Sequence, residues 1–177
     1  EAKRTTAASM DEAMIEDGMM VLTGHGIPLS LFEEMHEKMA TFFAQDIEIK
    51  RMLGDSKVYG PEGYTERGVE AVSRSTGDAE AKADAVERFT FSTMPPYNPA
   101  DEPERKALQG LDVELCDVSR RYWNEMSRVL DTLHNVTADV MNVSFDFFPK
   151  HFDGNDSGTV IRLARYPEFH MDSGLMR

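Results

Sequence analysis

Thr159-Val160-Ile161-Arg162-Leu163-Ala164-Arg165-Tyr166-Pro167 decides how the chain reads. The run opens on β-branched residues and closes on a proline, which lacks a ladder donor and pushes the residue before it toward extended backbone. It is therefore a strand that ends at Pro167. Side chains alternate along it, so Arg162, Ala164 and Tyr166 share one face while Ile161, Leu163 and Arg165 share the other. An arginine and a tyrosine on one face can bind a carboxylate through charge-assisted hydrogen bonds. A strand with one solvated face accounts for the same residues equally well.

The sequence before this strand is mostly helical, which makes the fold class α+β. Leu108, Leu111, Leu115, Val118, Tyr122, Met126, Val129, Leu133, Val136, Val140 and Val143 step by three and four. They form one apolar stripe on a helix from about Pro103 to Asn142, ~60 Å long at ~1.5 Å per residue. Asp112, Glu114, Asp117, Arg120, Arg121 and Asp131 lie on the opposite face. Such a stripe serves either as a coiled-coil seam or as a packing face. No consistent charge pairing flanks it, which favours packing on the chain's own sheet. Phe145-Asp146-Phe147-Phe148-Pro149 ends the helix, and a β-rich unit begins near Phe148.

Toward the N-terminus, Ala7, Met10 and Met14 predict a helix from about Thr5 to Asp17, with Gly18 as its C-cap. Met19 to Thr23 is a short apolar run and reads as a buried strand. Gly24-His25-Gly26-Ile27-Pro28 breaks both periodicities and is a turn. Ser30-Leu31-Phe32-Glu33 has the form of a capping box, and Leu31, Met35, Met39 and Phe42 carry a second helix to about Ala44. Ile47 to Leu53 is a further short helix. Tyr59-Gly60-Pro61-Glu62-Gly63-Tyr64 is a turn-rich loop. Glu87 to Ser92 alternates polar and apolar residues and reads as a short strand, followed by a proline-rich connection at Met94 to Pro99.

The 177 residues suffice for one domain with a core, or one domain and part of another. A net charge of −13 argues against nucleic acid or an anionic membrane as the main partner, since both repel an acidic surface. No apolar run reaches membrane-spanning length. The lone Cys116 can form no internal disulfide and fits a reducing compartment, so a cytoplasmic location is expected.

His170-Met171-Asp172 is a His-x-Asp, and on a strand its two polar side chains would point the same way, toward one metal ion. Its position just after Pro167, running into Ser173-Gly174, reads better as a polar loop. His25 sits in a turn, His36 and His134 on helices, and His151 in a loop. No pair among them has the spacing of a helical zinc motif, and each reads as surface or structural. Cys116 lies beside the apolar stripe and reads as packing. Gly24-x-Gly26 lacks the third glycine of a dinucleotide fingerprint.

Several separated segments together resemble the isopenicillin N synthase-like Fe(II)/2-oxoglutarate-dependent dioxygenases. Val21 to Pro28 resembles that family's strand and turn near the N-terminus. Phe42-Phe43 followed by Ile47-Glu48-Ile49-Lys50 is similar to its Phe-Phe helix end and Glu-x-x-Lys stretch. Tyr59 to Tyr64 with Gly68 and Glu70 resembles its glycine-tyrosine loop, and Glu87-Arg88-Phe89-Thr90-Phe91 its Lys-Glu-x-Phe segment. The long helix, Phe147-Phe148, Phe152-Asp153 and then Ile161-Arg162-Leu163-x-x-Tyr166-Pro167 continue in the family's order. The order and spacing from about Asp11 to Arg177 carry the resemblance.

The resemblance implies an N-terminal helical region leading into a double-stranded β-helix, or jelly roll. Residues 1–147 would be the N-terminal non-haem dioxygenase region, and 148–177 the start of a truncated jelly roll. For the parent protein it implies Fe(II), 2-oxoglutarate, O2 and a small organic substrate; for this chain alone it implies no bound cofactor. Tyr166 maps onto a tyrosine that in the family lies near the co-substrate or substrate. Some members carry Asn two positions earlier, where this chain has Ala164. Members with Arg-Tyr-Pro, as at Arg165 to Pro167, include isopenicillin N synthase, which uses no 2-oxoglutarate. Gly174-Leu175-Met176-Arg177 resembles the approach to the family's His-x-Asp. That motif, the distal His and the Arg-x-Ser that grips 2-oxoglutarate are expected beyond Arg177. No catalytic or metal residue is therefore assigned within the chain. The alternative is a non-catalytic helical interaction module that binds a partner through the long helix.

Overall fold

The computed structural model describes residues 2–53, 63–71, 77, 82–91, 113–151 and 160–167. Their order is α1 (Ala2–Glu16), α2 (Leu29–Phe43), α3 (Ile47–Arg51), β1 (Gly63–Thr65), β2 (Glu87–Phe91), α4 (Val113–Met141), α5 (Phe147–His151) and β3 (Ile161–Arg165). The class is α+β, as the sequence predicts. Two compact units are each assembled from two stretches of chain: Glu33–Arg120 with Thr159–Arg177, and Glu1–Phe32 with Arg121–Gly158.

The first unit holds the sheet. β2 pairs antiparallel with β1 on one side and β3 on the other, giving the order β1-β2-β3. The strands read at Glu87 to Ser92 and at Thr159 to Tyr166 are both present. β1 is a correction, because Gly63-Tyr64 is read from sequence as loop. Its three residues form a strand because β2 supplies a ladder, pairing Gly63 with Thr90 and Tyr64 with Phe89. The apolar side of the sheet meets the end of α2. Phe42 and Phe89 are fully buried with ring centroids 5.2 Å apart, edge to face, and Phe43 and Tyr64 pack around Phe42 at 5.1 and 6.3 Å. α2 starts at Leu29, so Ser30 lies inside the first turn and not at the N-cap. Pro28 already sets that turn, its carbonyl accepting the Leu31 N–H at 3.0 Å.

α4 opens in this unit with Leu115, Val118 and Ser119 fully buried. The Ser119 hydroxyl donates to the Met35 sulfur at 3.7 Å, which ties this end of the helix to α2. The helix has 29 described residues, ~43 Å at ~1.5 Å per residue. Residues 103–112, with Leu108 and Leu111, lie outside the described residues.

In the second unit, α1 closes at Gly18, whose φ of 68° needs glycine. The expected strand at Met19 to Thr23 is absent. No strand among the described residues pairs with it, and Val21 is 84% exposed; an apolar run without a ladder partner is not a strand. The turn that follows is built around His25. Its Nδ1 accepts the Ile27 N–H at 3.1 Å and its carbonyl accepts Arg128 Nη2 at 2.7 Å. Phe32 packs edge-on between His25 and Tyr122. α4 ends in a Schellman arrangement with Asn142 at φ 52°, the Val143 N–H reaching the Ala138 carbonyl at 3.0 Å. His134 stacks on Phe148 at 5.0 Å. Among the described residues no helix is long and apolar enough to cross a membrane.

Candidate functional site

The sheet register sorts the charged side chains onto two faces. Glu87 pairs with Arg165, and Phe89 with Tyr64 and Leu163, so these share the face toward the aromatic core. Arg88 pairs with Ala164 and Thr90 with Arg162, on the opposite face.

A carboxylate on the apolar face must be compensated, because an unpaired buried charge costs several kcal/mol. Glu87 is almost wholly enclosed and receives three donors. Lys50 Nζ donates to Oε2 at 2.9 Å, the Tyr64 hydroxyl to Oε2 at 2.7 Å, and Arg165 Nη1 to Oε1 at 2.9 Å. Lys50 and Arg165 both also donate to the Phe43 carbonyl at the end of α2, at 2.9 and 3.2 Å. Lys50 Nζ lies 5.4 Å from the centre of the Tyr64 ring. One carboxylate thus joins α2, α3, β1, β2 and β3. Burial pushes the Glu87 carboxyl up, but the hydrogen bonds from Lys50, Tyr64 and Arg165 outweigh it and hold the group below its ordinary 4.5. Burial, reinforced by the bond to Glu87, raises the Tyr64 phenol well above its ordinary 10.0, so it stays a donor.

On the opposite face Glu70 stands between two arginines. Arg88 Nε lies 2.9 Å from Glu70 Oε2, and Arg162 Nη1 3.8 Å from Oε1. Arg88 Nη1 donates to the Thr90 hydroxyl at 3.0 Å, which fixes the guanidinium along its own strand.

Tyr166 is the first residue past the β3 ladder and is 70% exposed. Arg162 and Ala164 share a face, as alternation predicts, but the partner brought to Arg162 is Glu70. His170 and Asp172 lie outside the described residues. His25, His36, His134 and His151 are scattered, and among the described residues no three His, Cys, Asp or Glu side chains converge to hold a metal ion. The described residues therefore do not fit an iron site, and no chemical step is derived through one.

The Glu87 cluster is the feature that sequence reading missed. A signal was available: alternation across Glu87-Arg88-Phe89-Thr90-Phe91 puts Glu87 on the same face as two phenylalanines. A charge there demands a buried partner.

The family described as non-haem dioxygenase in morphine synthesis, N-terminal, matches residues 1–113. Clavatol oxidase of Penicillium crustosum is 27% identical over 183 residues, covering 94% of this chain and 53% of that protein. Gibberellin 20 oxidase 1 of Oryza sativa subsp. japonica is 28% identical over 182 residues, covering 93% of this chain and 44% of that protein. The chain thus spans about half the length of the curated relatives it matches. The crystal structure of JOX2 in complex with 2OG, Fe and JA superposes with a TM-score of 0.68 at 20% identity, over 93% of this chain and 45% of that one, so the fold is shared.

Proposed function

The chain belongs to the family of non-haem dioxygenase N-terminal regions, and from that premise we propose that it is the N-terminal part of a non-haem Fe(II)-dependent oxygenase or oxidase. The whole protein acts on a small organic substrate with O2 and 2-oxoglutarate. Residues 1–147 form the N-terminal region and 148–177 begin the jelly roll. The observation that carries this reading is the β2–β3 ladder. It sets the Arg-Leu-x-x-Tyr-Pro strand against the Glu-x-Phe strand, with Arg162 and Ala164 turned away from the aromatic core and Tyr166 at the exposed end. The complex of JOX2 with 2OG and Fe supports the choice of co-substrate and metal. Tyr166 is the residue of this chain that meets the co-substrate or substrate.

The test is carried out on the whole protein with added Fe(II). It should bind 2-oxoglutarate and consume it with O2, releasing succinate, and chelation of iron should stop the reaction. Tyr166→Phe should raise the KM for 2-oxoglutarate several-fold, with roughly 1 kcal/mol expected for one lost hydrogen bond. A whole protein that neither binds 2-oxoglutarate nor takes up O2 refutes the reading and favours the helical interaction module.

A further inference from the structure

Tyr166 is 70% exposed and follows directly on the last residue of β3, so the strand end sets where its side chain starts. Pro167 follows and restricts Tyr166 to extended backbone. The remaining freedom lies one residue back, at Arg165, which forms the last register pair of β3 with Glu87. Arg165 is pinned twice through Nη1, to Glu87 Oε1 at 2.9 Å and to the Phe43 carbonyl at 3.2 Å. The anchor itself is immobile, because Lys50 and Tyr64 hold the other Glu87 oxygen at 2.9 and 2.7 Å. Arg165 is 46% exposed on its side chain while Glu87 is 8% exposed, so the guanidinium spans from solvent to a buried post.

We infer that Arg165 is a positioning residue, which locks the end of β3 onto Glu87 and the Phe43 carbonyl and so aims Tyr166. This rests on the reading of Tyr166 as the residue that meets 2-oxoglutarate or substrate. The lever is long: a ~10° rotation at residue 165 sweeps a tyrosine hydroxyl by about 1 Å, enough to break one hydrogen bond. Releasing Arg165 leaves Lys50 and Tyr64 on Glu87, so the fold survives while the aim is lost.

The experiment compares Arg165→Met and Arg165→Lys in the whole protein, with 3-fluorotyrosine placed at position 166. In Arg165→Met the fluorine signal should shift, and the KM for 2-oxoglutarate should rise several-fold, no more than in Tyr166→Phe, with kcat within about twofold. Arg165→Lys, which keeps the positive charge beside Glu87, should restore part of both. A lower melting temperature with an unchanged fluorine signal and unchanged KM would make Arg165 merely structural and overturn the inference. If the whole protein neither binds nor consumes 2-oxoglutarate, the parent reading falls, and the fluorine signal alone still decides whether Arg165 holds Tyr166.

Discussion

Replacing Lys50 by methionine keeps most of the length of the side chain and removes its charge from a site only 7% exposed. Two hydrogen bonds disappear, the charged one to Glu87 and the one to the Phe43 carbonyl, both 2.9 Å. Breaking a buried pair outright costs about 3–5 kcal/mol, because a bare charge is left behind. Here Tyr64 and Arg165 stay on Glu87, and Arg165 also stays on the Phe43 carbonyl, so the expected cost is near the lower end, about 3 kcal/mol. Urea unfolding should show it as a lower midpoint with an unchanged slope. Adding Glu87→Gln removes the stranded charge, so the double variant should be more stable than the sum of the singles by about 1–2 kcal/mol. Acid supplies a second measurement. Glu87 is held below its ordinary 4.5 in the folded protein, so as pH falls through that value the unfolded chain takes up the proton first and stability declines. The contribution is complete above that value and lost as pH falls through the folded pKa; Lys50→Met should flatten this acid dependence. A cost below about 1 kcal/mol, or strictly additive variants, would refute the view of Glu87 as a coupled buried post.

Phe89→Ala should cost about 3–5 kcal/mol in the same assay, because the ring is fully buried against Phe42 and its loss leaves a cavity. Asn142→Ala should cost about 1 kcal/mol, since alanine at φ 52° is strained where asparagine and glycine are tolerated, and Asn142→Gly should be close to neutral. A temperature scan that fails to separate the two Asn142 variants would contradict the left-handed cap.

Much of the secondary structure was legible because its causes are local. The step of three and four from Leu115 to Val140 predicts α4, alternation predicts β2, and the β-branched run closed by Pro167 predicts β3, close to their observed limits. Gly18, Gly24 and Gly26 mark breaks, and each has positive φ. The candidate site was less legible. Tyr166 and Arg162 stood out as residue types on a strand face, yet the Glu70 ion pairs depend on a residue far away in sequence. Two readings failed for one reason. Met19 to Thr23 looks like a strand but has no partner among the described residues, while Gly63-Tyr64, at the end of the Tyr59 to Tyr64 loop, looks like a turn but has one.

Sequence by itself determined the α+β class, the helices with their apolar faces, and the order of segments that resembles the dioxygenase family. These follow from periodicity and from the backbone limits of glycine and proline, which act within a few residues of chain. Tertiary structure alone decided which runs became strands, which face of β2 went inward, and that Glu87 would gather Lys50, Tyr64 and Arg165 around it. A ladder needs a second strand, and a buried carboxylate needs donors from elsewhere in the chain. Neither requirement is met by neighbours in sequence.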